Sequence, residues 1–195
     1  MYVILCMITL DITQTDYQSV KNIIDQNIED FWNFSCKIIF VTDFYESKII
    51  RDLVGYFLEK NTIFSPWKAR FILITDELIN NSIEHGSRPW DINHCIIKIK
   101  TTKTKLKIWL EVIDSWHGKD SKWSEEMEKI KTKKVEEVQW ENTYMGSRGR
   151  WLFHITSKLV DNLYFKDASN GWLVVWIEKS FTNKELAELQ SESHV

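Results

Sequence analysis

The chain has 195 residues, of which 44% are hydrophobic and 27% charged, and its formal net charge is -3. This composition is that of a globular protein with one domain, or one domain and an extension, and it excludes disordered and fibrous classes. A slightly acidic chain gives no basis for a general nucleic-acid-binding surface. The three cysteines, Cys6, Cys36 and Cys95, are far apart, which argues against a disulfide framework or a zinc cluster and fits a reducing cytoplasm.

The first ten residues, MYVILCMITL, are apolar but have no basic start and no small-residue cleavage site. A membrane-spanning helix needs about 20 apolar residues, so this stretch is too short for one. It predicts a core strand rather than a targeting or membrane segment.

Hydrophobic periodicity predicts an alternation of strands and helices along the chain. We expect strands at residues 2–12, 37–42, 96–100, 106–113, 163–165 and 173–177. We expect helices at residues 16–31, 46–60 with Asp43 as the cap, 71–86 with a start at Ser65 and Pro66, and 150–161. Residues 115–147 keep no apolar period and are dense in Lys and Glu, which predicts a functional lid or a disordered segment, partly helical but outside the core.

The predicted helix FILITDELINNSIEHG, residues 71–86, carries Glu77, Asn81 and His85 at spacings of four residues. In a regular α-helix this spacing places all three on one side, opposite an apolar face. A carboxylate and a carboxamide one turn apart suit a site for Mg²⁺ and phosphate, since Mg²⁺ prefers oxygen ligands. A hydrogen-bonded polar seam between the helix and a loop is the alternative.

Two further motifs follow this helix. VIDSWHGKD, at the end of a predicted strand, supplies Asp114 and Gly118. The third, SRGRWLFHI, begins a predicted helix and contains Arg148, Gly149, Arg150, Leu152, Phe153 and Ile155.

In this order the three motifs resemble E-x-x-x-N-x-x-x-H, D-x-G-x-G and RGRGLFxI of the GHKL (Bergerat-fold, histidine-kinase-like) ATPase superfamily. The closest resemblance is to its small anti-sigma factor serine kinases, and it covers about residues 37–180. It implies an α/β (α+β) two-layer sandwich with a mixed, mostly antiparallel sheet, helices on one face and a long ATP lid.

The resemblance also implies a division of the chain. Residues 1–34 form an N-terminal strand-helix extension, residues 35–181 the ATPase domain with its lid at about 115–148, and residues 182–195 a polar tail. The extension either extends the sheet, mediates dimers, or derives from a rarely used upstream start site.

The resemblance implies ATP and Mg²⁺ as cofactors. Asn81 would bind Mg²⁺ through its side-chain oxygen, and Glu77 would orient or deprotonate the attacking hydroxyl. His85 is expected to make a structural hydrogen bond at the helix end. Asp114 would accept a hydrogen bond from the adenine amino group and so select adenine over guanine. The remaining residues implied in nucleotide binding, by backbone N–H groups or by charge, are Gly118, Arg148, Gly149, Arg150 and Leu152.

Ten tryptophans against six glycines depart from ordinary composition, in which about 7% of residues are glycine. Trp116 and Trp151 stand where the second and third motifs have glycines. Trp109, inside an apolar strand, is at a position that suits tryptophan. The tryptophans at positions expected to hold a small residue or a turn glycine are Trp67, Trp90, Trp172 and Trp176.

Two explanations compete for these tryptophans. Either the chain is a degenerate member with a weakened nucleotide site, or the tryptophans are misread glycine codons. Some bacterial lineages read UGA as glycine, whereas a common alternative code reads it as tryptophan. Glycine at 116 and 151 would restore DSGHG and RGRGLFHI.

The sequence therefore predicts a cytoplasmic, ATP-dependent protein serine/threonine kinase. It would phosphorylate a small antagonist protein and regulate a sigma factor by binding it, with homodimerisation expected from the resemblance and with no nucleic-acid or membrane partner. A sensor histidine kinase would need a phosphoacceptor histidine in a helical dimerisation segment, and no histidine precedes His85. The alternative is a non-catalytic GHKL-fold binding module.

Overall fold

The structure, a computed structural model, describes residues 6–13, 15–29, 31–60, 65–119, 121–140 and 159–192. These residues form an α+β fold with a six-stranded open sheet and five α-helices. The elements are β1 (Cys6–Asp11), α1 (Tyr17–Asn27), β2 (Asn33–Val41), α2 (Phe44–Lys60), α3 (Ser65–Asn81), a π-helical turn (Ser82–Gly86), β3 (Ile92–Thr101), β4 (Lys105–Ile113), α4 (Ser124–Trp140), β5 (Asn162–Asp167), β6 (Leu173–Thr182) and α5 (Asn183–Glu192).

The sheet has the strand order β1-β2-β3-β4-β6-β5. β1 pairs with β2 in parallel, and the other four pairings are antiparallel. The prediction of a mixed, mostly antiparallel sheet is therefore confirmed. A parallel pair needs a crossover connection, which α1 provides between β1 and β2.

Alternation along the strands places one face of the sheet in the core. In β4, for example, Leu106, Ile108, Leu110 and Val112 are buried, whereas the intervening residues are half-buried. Buried residues of α1, α2 and α3 belong to the same hydrophobic cluster as this face. The distribution of burial is consistent with the predicted two-layer sandwich.

The N-terminal strand and helix belong to this core. Leu10 of β1 and Val20 and Ile24 of α1 are buried in the same cluster as the rest of the sheet. The Tyr56 hydroxyl of α2 donates a hydrogen bond to Asp25, whose carboxylate lies 3.0 Å from Lys60 Nζ. Of the alternatives considered for this segment, extension of the sheet is the one observed in the fold.

Local hydrogen bonds account for where the first helices begin. Asp43 accepts a hydrogen bond from the backbone N–H of Tyr45 at 2.9 Å, so the predicted cap is present, but α2 begins at Phe44 rather than at residue 46. Asp16 caps α1 through the N–H groups of Gln18 and Ser19. α1 ends at Asn27, four residues earlier than its apolar pattern predicts.

Helix α4 corrects the prediction that the segment after β4 lies outside the core. Met127 and Ile130 of α4 are half-buried and pack against the core. Asp167 of β5 accepts hydrogen bonds from Ser124 N at 2.8 Å and Ser124 Oγ at 2.7 Å. The packing of Met127 and Ile130 and the hydrogen bonds to Asp167 of β5 hold this helix. Two apolar residues are too few to give a clear helical period in the sequence.

The cysteines in the described core are free. Cys36 and Cys95 are buried without a disulfide, and burial raises the pKa of the Cys36 thiol to about 12. None of the helices in the described ranges combines the length and the apolar character that a membrane span requires.

Candidate nucleotide-binding cavity

A cavity of about 290 Å³ lies between the C-terminal end of α3, the π-helical turn, the ends of β4 and β6, and α4. It brings together parts of the chain that are far apart in sequence. Its lining residues are Leu78, Asn81, Ser82, His85, Gly86, Val112, Asp114, Trp116, Ser121, Lys122, Met127, Ile130, Leu173 and Val175. Two of the predicted site residues, Asn81 and Asp114, thus line one cavity.

The backbone changes from α-helix to π-helix directly after Asn81. A π turn bonds residue i to i+5 instead of i+4, so His85 does not keep the α-helical register with Glu77 and Asn81. The prediction that one regular helix carries all three residues is wrong for His85. Its side chain is about half exposed and lies 3.9 Å from the Glu84 carboxylate, while its backbone carbonyl accepts a hydrogen bond from Ser121 Oγ at 3.3 Å.

Asp114 is the buried acid of the cavity, and only 4% of it is exposed. It follows β4, where its N–H donates to the carbonyl of Leu173, and its Oδ1 accepts the N–H of Trp116 at 3.0 Å. Burial raises the pKa of this carboxyl to about 6, although the N–H of Trp116 acts in the opposite direction. At pH 7 Asp114 is therefore mostly ionised and able to accept hydrogen bonds.

Two glycines permit the loop after β4 to approach the π-helical turn. A Cβ on residue 86 would lie 2.1 Å from Asp114 Oδ2, and a Cβ on residue 118 would lie 1.9 Å from the carbonyl oxygen of His85. The N–H of Gly118 donates to the carbonyl of Gly86 at 3.2 Å. Gly118 of the second motif thus holds the loop against the turn through its backbone.

A buried polar network lies behind Asp114. The Oδ1 of Asn93, a fully buried residue, accepts hydrogen bonds from Ser87 Oγ at 2.9 Å and from Ser115 N at 3.1 Å. Ser115 Oγ in turn donates to the Asp91 carboxylate. These bonds fix the backbone directly after Asp114 and so hold its carboxyl group at the cavity.

Trp116 and Trp90 adopt backbone conformations that favour glycine. Their φ angles are 55° and 70°, and they are the only non-glycine residues with positive φ in the described part of the chain. The Trp116 ring lines the cavity and packs against Trp123 with ring centroids 4.0 Å apart, while its indole Nε1 is buried without a hydrogen-bond partner.

The other tryptophans of the described ranges lie in different settings. Trp67, predicted to occupy a glycine-like turn, lies inside α3 and packs edge-on against Phe181, so that prediction is wrong. Trp176 of β6 stacks on Tyr164, and Trp109 of β4 donates from Nε1 to Glu178 at 2.8 Å.

Glu77 is half-buried on α3, one helical turn before Asn81, and is not among the described residues that line the cavity. The third motif, with Arg148, Gly149, Arg150, Trp151 and Leu152, lies outside the described residues.

Sequence reasoning did not identify several residues of the cavity. Lys122 brings a positive charge to it, and Met127 and Ile130 of α4 form an apolar wall. The signal for the wall was the i, i+3 spacing of two apolar residues in an otherwise charged stretch. Ser82 is buried at the start of the π-helical turn, where its hydroxyl donates to the carbonyl of Ile79.

Within the described ranges, no group of three or more His, Cys, Asp or Glu residues could hold a metal ion by itself. No protein-family model and no curated protein sequence matches the chain.

Proposed function

We propose that the cavity binds ATP with Mg²⁺, and that the chain is a protein serine/threonine kinase of anti-sigma factor type with a Bergerat fold. The supporting observation is the convergence of Asn81 and Asp114, from two separate motifs, on one cavity. Glu77 lies one helical turn before Asn81 on the same helix. The resemblance implies that Asn81 binds Mg²⁺, that Asp114 binds the adenine ring and that Glu77 acts on the attacking hydroxyl.

The walls of the cavity suit a purine base. Leu78, Val112, Leu173 and Val175 provide apolar surface, and Asp114 provides a single buried carboxylate. The amino group of adenine would donate a hydrogen bond to this carboxylate. Guanine presents a carbonyl at the corresponding position, and two acceptors facing each other in a buried site are unfavourable. Asp114 would therefore select ATP over GTP.

The residues near Asn81 fit a magnesium ion whose shell is completed by phosphate and water. The side-chain oxygen of Asn81 is a hard ligand of the kind that Mg²⁺ prefers, and Mg²⁺ needs few protein ligands when it binds with a nucleotide. Bound Mg²⁺ would neutralise charge on the phosphates. Lys122, which lines the same cavity, would add a positive charge beside them.

In this proposal Glu77 acts on the partner protein rather than on the nucleotide. Its carboxylate would accept the proton of a serine hydroxyl and orient the oxygen for attack on the terminal phosphate. The partner would be a small antagonist protein, and binding to a sigma factor would couple phosphorylation to transcription. Homodimerisation belongs to the same proposal.

Trp116 favours a second candidate, a non-catalytic binding module of the same fold. Trp116 lines the cavity, whose volume of about 290 Å³ is just below the range of about 300–1,000 Å³ for small-molecule sites. If the indole excludes the nucleotide, the chain would regulate a partner by binding alone.

Titration calorimetry with ATP, GTP and Mg²⁺ tests nucleotide binding. We expect the Trp116→Gly, Trp151→Gly double variant to bind ATP more tightly than the chain as written, and to bind GTP at least about tenfold more weakly than ATP. Failure of the double variant to bind ATP would remove the basis of the proposal.

A kinase assay distinguishes the two candidates. The double variant is incubated with ATP, Mg²⁺ and candidate antagonist proteins, and phosphoserine is detected by mass spectrometry. Loss of the catalytic base is expected to lower transfer by about 10²–10⁴-fold in Glu77→Ala with little change in ATP affinity. Glu59→Ala, an exposed glutamate of α2, is the matched control. Partner binding without any transfer supports the binding module, and full transfer by Glu77→Ala contradicts the assigned role of Glu77.

A further inference from the structure

Trp90 occupies a turn whose geometry calls for glycine. The N–H of Asp91 donates to the carbonyl of Arg88 at 3.1 Å, which closes a four-residue turn with Pro89 and Trp90 at its centre. Proline at the first central position followed by φ of 70° at the second defines a type II turn. That second position is normally glycine, because an L-residue with a side chain is strained there. The indole gains little in return, since Trp90 is 75% exposed.

Trp116 combines the same backbone strain with an unsatisfied polar group. Its φ of 55° lies in the left-handed region, and its indole Nε1 is buried without a hydrogen-bond partner. A buried donor that loses its hydrogen bond to water is unfavourable. Two independent features therefore disfavour tryptophan at position 116, whose N–H donates to the buried acid Asp114.

Trp109 shows what a well-accommodated tryptophan looks like in the same molecule. It lies within β4, its Nε1 donates to Glu178 at 2.8 Å, and the Lys107 ammonium group lies 5.4 Å from the ring centroid. Positive φ thus separates two of the described tryptophans from the rest, and the separation does not depend on any motif.

We infer that residues 90 and 116 are glycines in the protein that the source organism makes, and that tryptophan stands there because UGA was translated with a different code. Both positions then adopt their φ angles without strain. Glycine at 116 also removes the indole from the wall of the cavity that Asp114 lines. The inference does not depend on the proposed kinase function, because it rests on the backbone geometry at both positions and on the buried, unpartnered indole Nε1 of Trp116.

Paired glycine and alanine variants test the backbone requirement, since both remove the indole and differ only in the Cβ. At positions 90 and 116 the glycine variant is expected to have a folding equilibrium constant about fivefold larger than the alanine variant, measured by urea denaturation. This factor reflects the left-handed cost to alanine, reduced by the greater freedom of glycine in the unfolded chain. At Trp109, inside a strand, the order is expected to reverse. The inference would be overturned if the alanine variant at 90 or 116 were as stable as the glycine variant, or more stable.

The gene and the native protein test the identity of the residues directly. Codons 90 and 116 are expected to be UGA. UGG at either position overturns the inference, whichever of the glycine and alanine variants is more stable. Trypsin releases residues 108–119, IWLEVIDSWHGK, which contain both Trp109 and residue 116. In protein from the source organism this peptide is expected to carry glycine at 116 and tryptophan at 109. None of these measurements involves nucleotide, so their outcome is separate from that of the ATP-binding test.

Discussion

Asp114 is a residue at which the proposed function and stability oppose each other. Its pKa in the folded protein is about 6, above its ordinary value of 3.8, because the carboxyl is buried. The folded state therefore binds the proton more tightly than the unfolded state. Keeping the group ionised at pH 7 destabilises the fold by about 3 kcal/mol, and this penalty disappears as the pH falls from about 6 to 4.

Asp114→Asn is expected to raise the free energy of unfolding at pH 7 by about 1–3 kcal/mol, because the neutral amide avoids the cost of a buried charge. Urea denaturation at a series of pH values should show this gain shrinking between pH 6 and 4. The same variant is expected to lose ATP binding in calorimetry. A variant that is less stable than the parent at pH 7 would contradict the assignment of Asp114 as a buried charge.

Asp91 is the matched control, and the opposite sign is expected for it. Burial acts to raise the pKa of Asp91, but hydrogen bonds from Ser115 Oγ and the N–H of Arg88 outweigh it and hold the pKa below its ordinary value. Its ionised form stabilises the fold above the unfolded-state pKa, and this contribution is lost as the pH falls. Asp91→Asn should therefore lower stability at pH 7.

At the scale of single elements, α4 forms one wall of the cavity, and hydrogen bonds between Ser124 and Asp167 hold its first turn against β5. Asp167→Ala removes the acceptor of both Ser124 hydrogen bonds and is expected to cost about 1 kcal/mol of stability. Hydrogen exchange should become faster in residues 124–133, and ATP should bind more weakly because Met127 and Ile130 line the cavity.

Lys129→Ala is the control for α4. Its side chain is exposed and pairs with the exposed Glu125, and a solvent-exposed ion pair of this kind contributes little to stability. Unchanged hydrogen exchange across α4 in Asp167→Ala would show that the Ser124 contacts do not hold this helix.

In helix α3 the hydrophobic periodicity of the sequence predicts the helix but not the geometry of its C-terminal end. The apolar spacing predicted the helix, and Ser65 predicted its start. The apolar pattern does not predict the change from α-helix to π-helix after Asn81, because Ile83 fits that pattern in both kinds of helix. Close packing decides the register there, since residue 86 must leave room for Asp114 Oδ2.

The pairing and order of the strands were the part of the fold that the sequence predicted least well. The parallel pairing of β1 with β2 and the position of β6 between β4 and β5 depend on contacts between residues distant in sequence. The convergence of Asn81 and Asp114 was expected only from the order of the motifs, since nothing local to either residue specifies the other. By contrast, the motifs and turn contexts indicated Trp116 and Trp90 as glycine positions, and both have the positive φ that glycine tolerates. The same expectation was wrong for Trp67, which lies inside α3.

At the scale of the whole molecule, the placement of α1 predicts that the chain unfolds as one cooperative unit. Ile24 of α1 is fully buried in the cluster that includes β2, β3 and β4, whereas its neighbour Ile23 is 42% exposed. Ile24→Ala is expected to cost about 2–5 kcal/mol, because it leaves a cavity in a shared core, and Ile23→Ala less than about 1 kcal/mol.

The decisive measurement follows the two ends of the sheet separately during urea denaturation of Ile24→Ala, by hydrogen exchange in β1–β2 and in β4–β6. If α1 and β1 are integral to the core, both ends lose protection at one lowered urea midpoint. A separate N-terminal unit would instead give an early transition confined to β1 and α1, with β4–β6 and the cavity unaffected. The buried cluster shared by Leu10, Ile24 and the central strands favours the single transition.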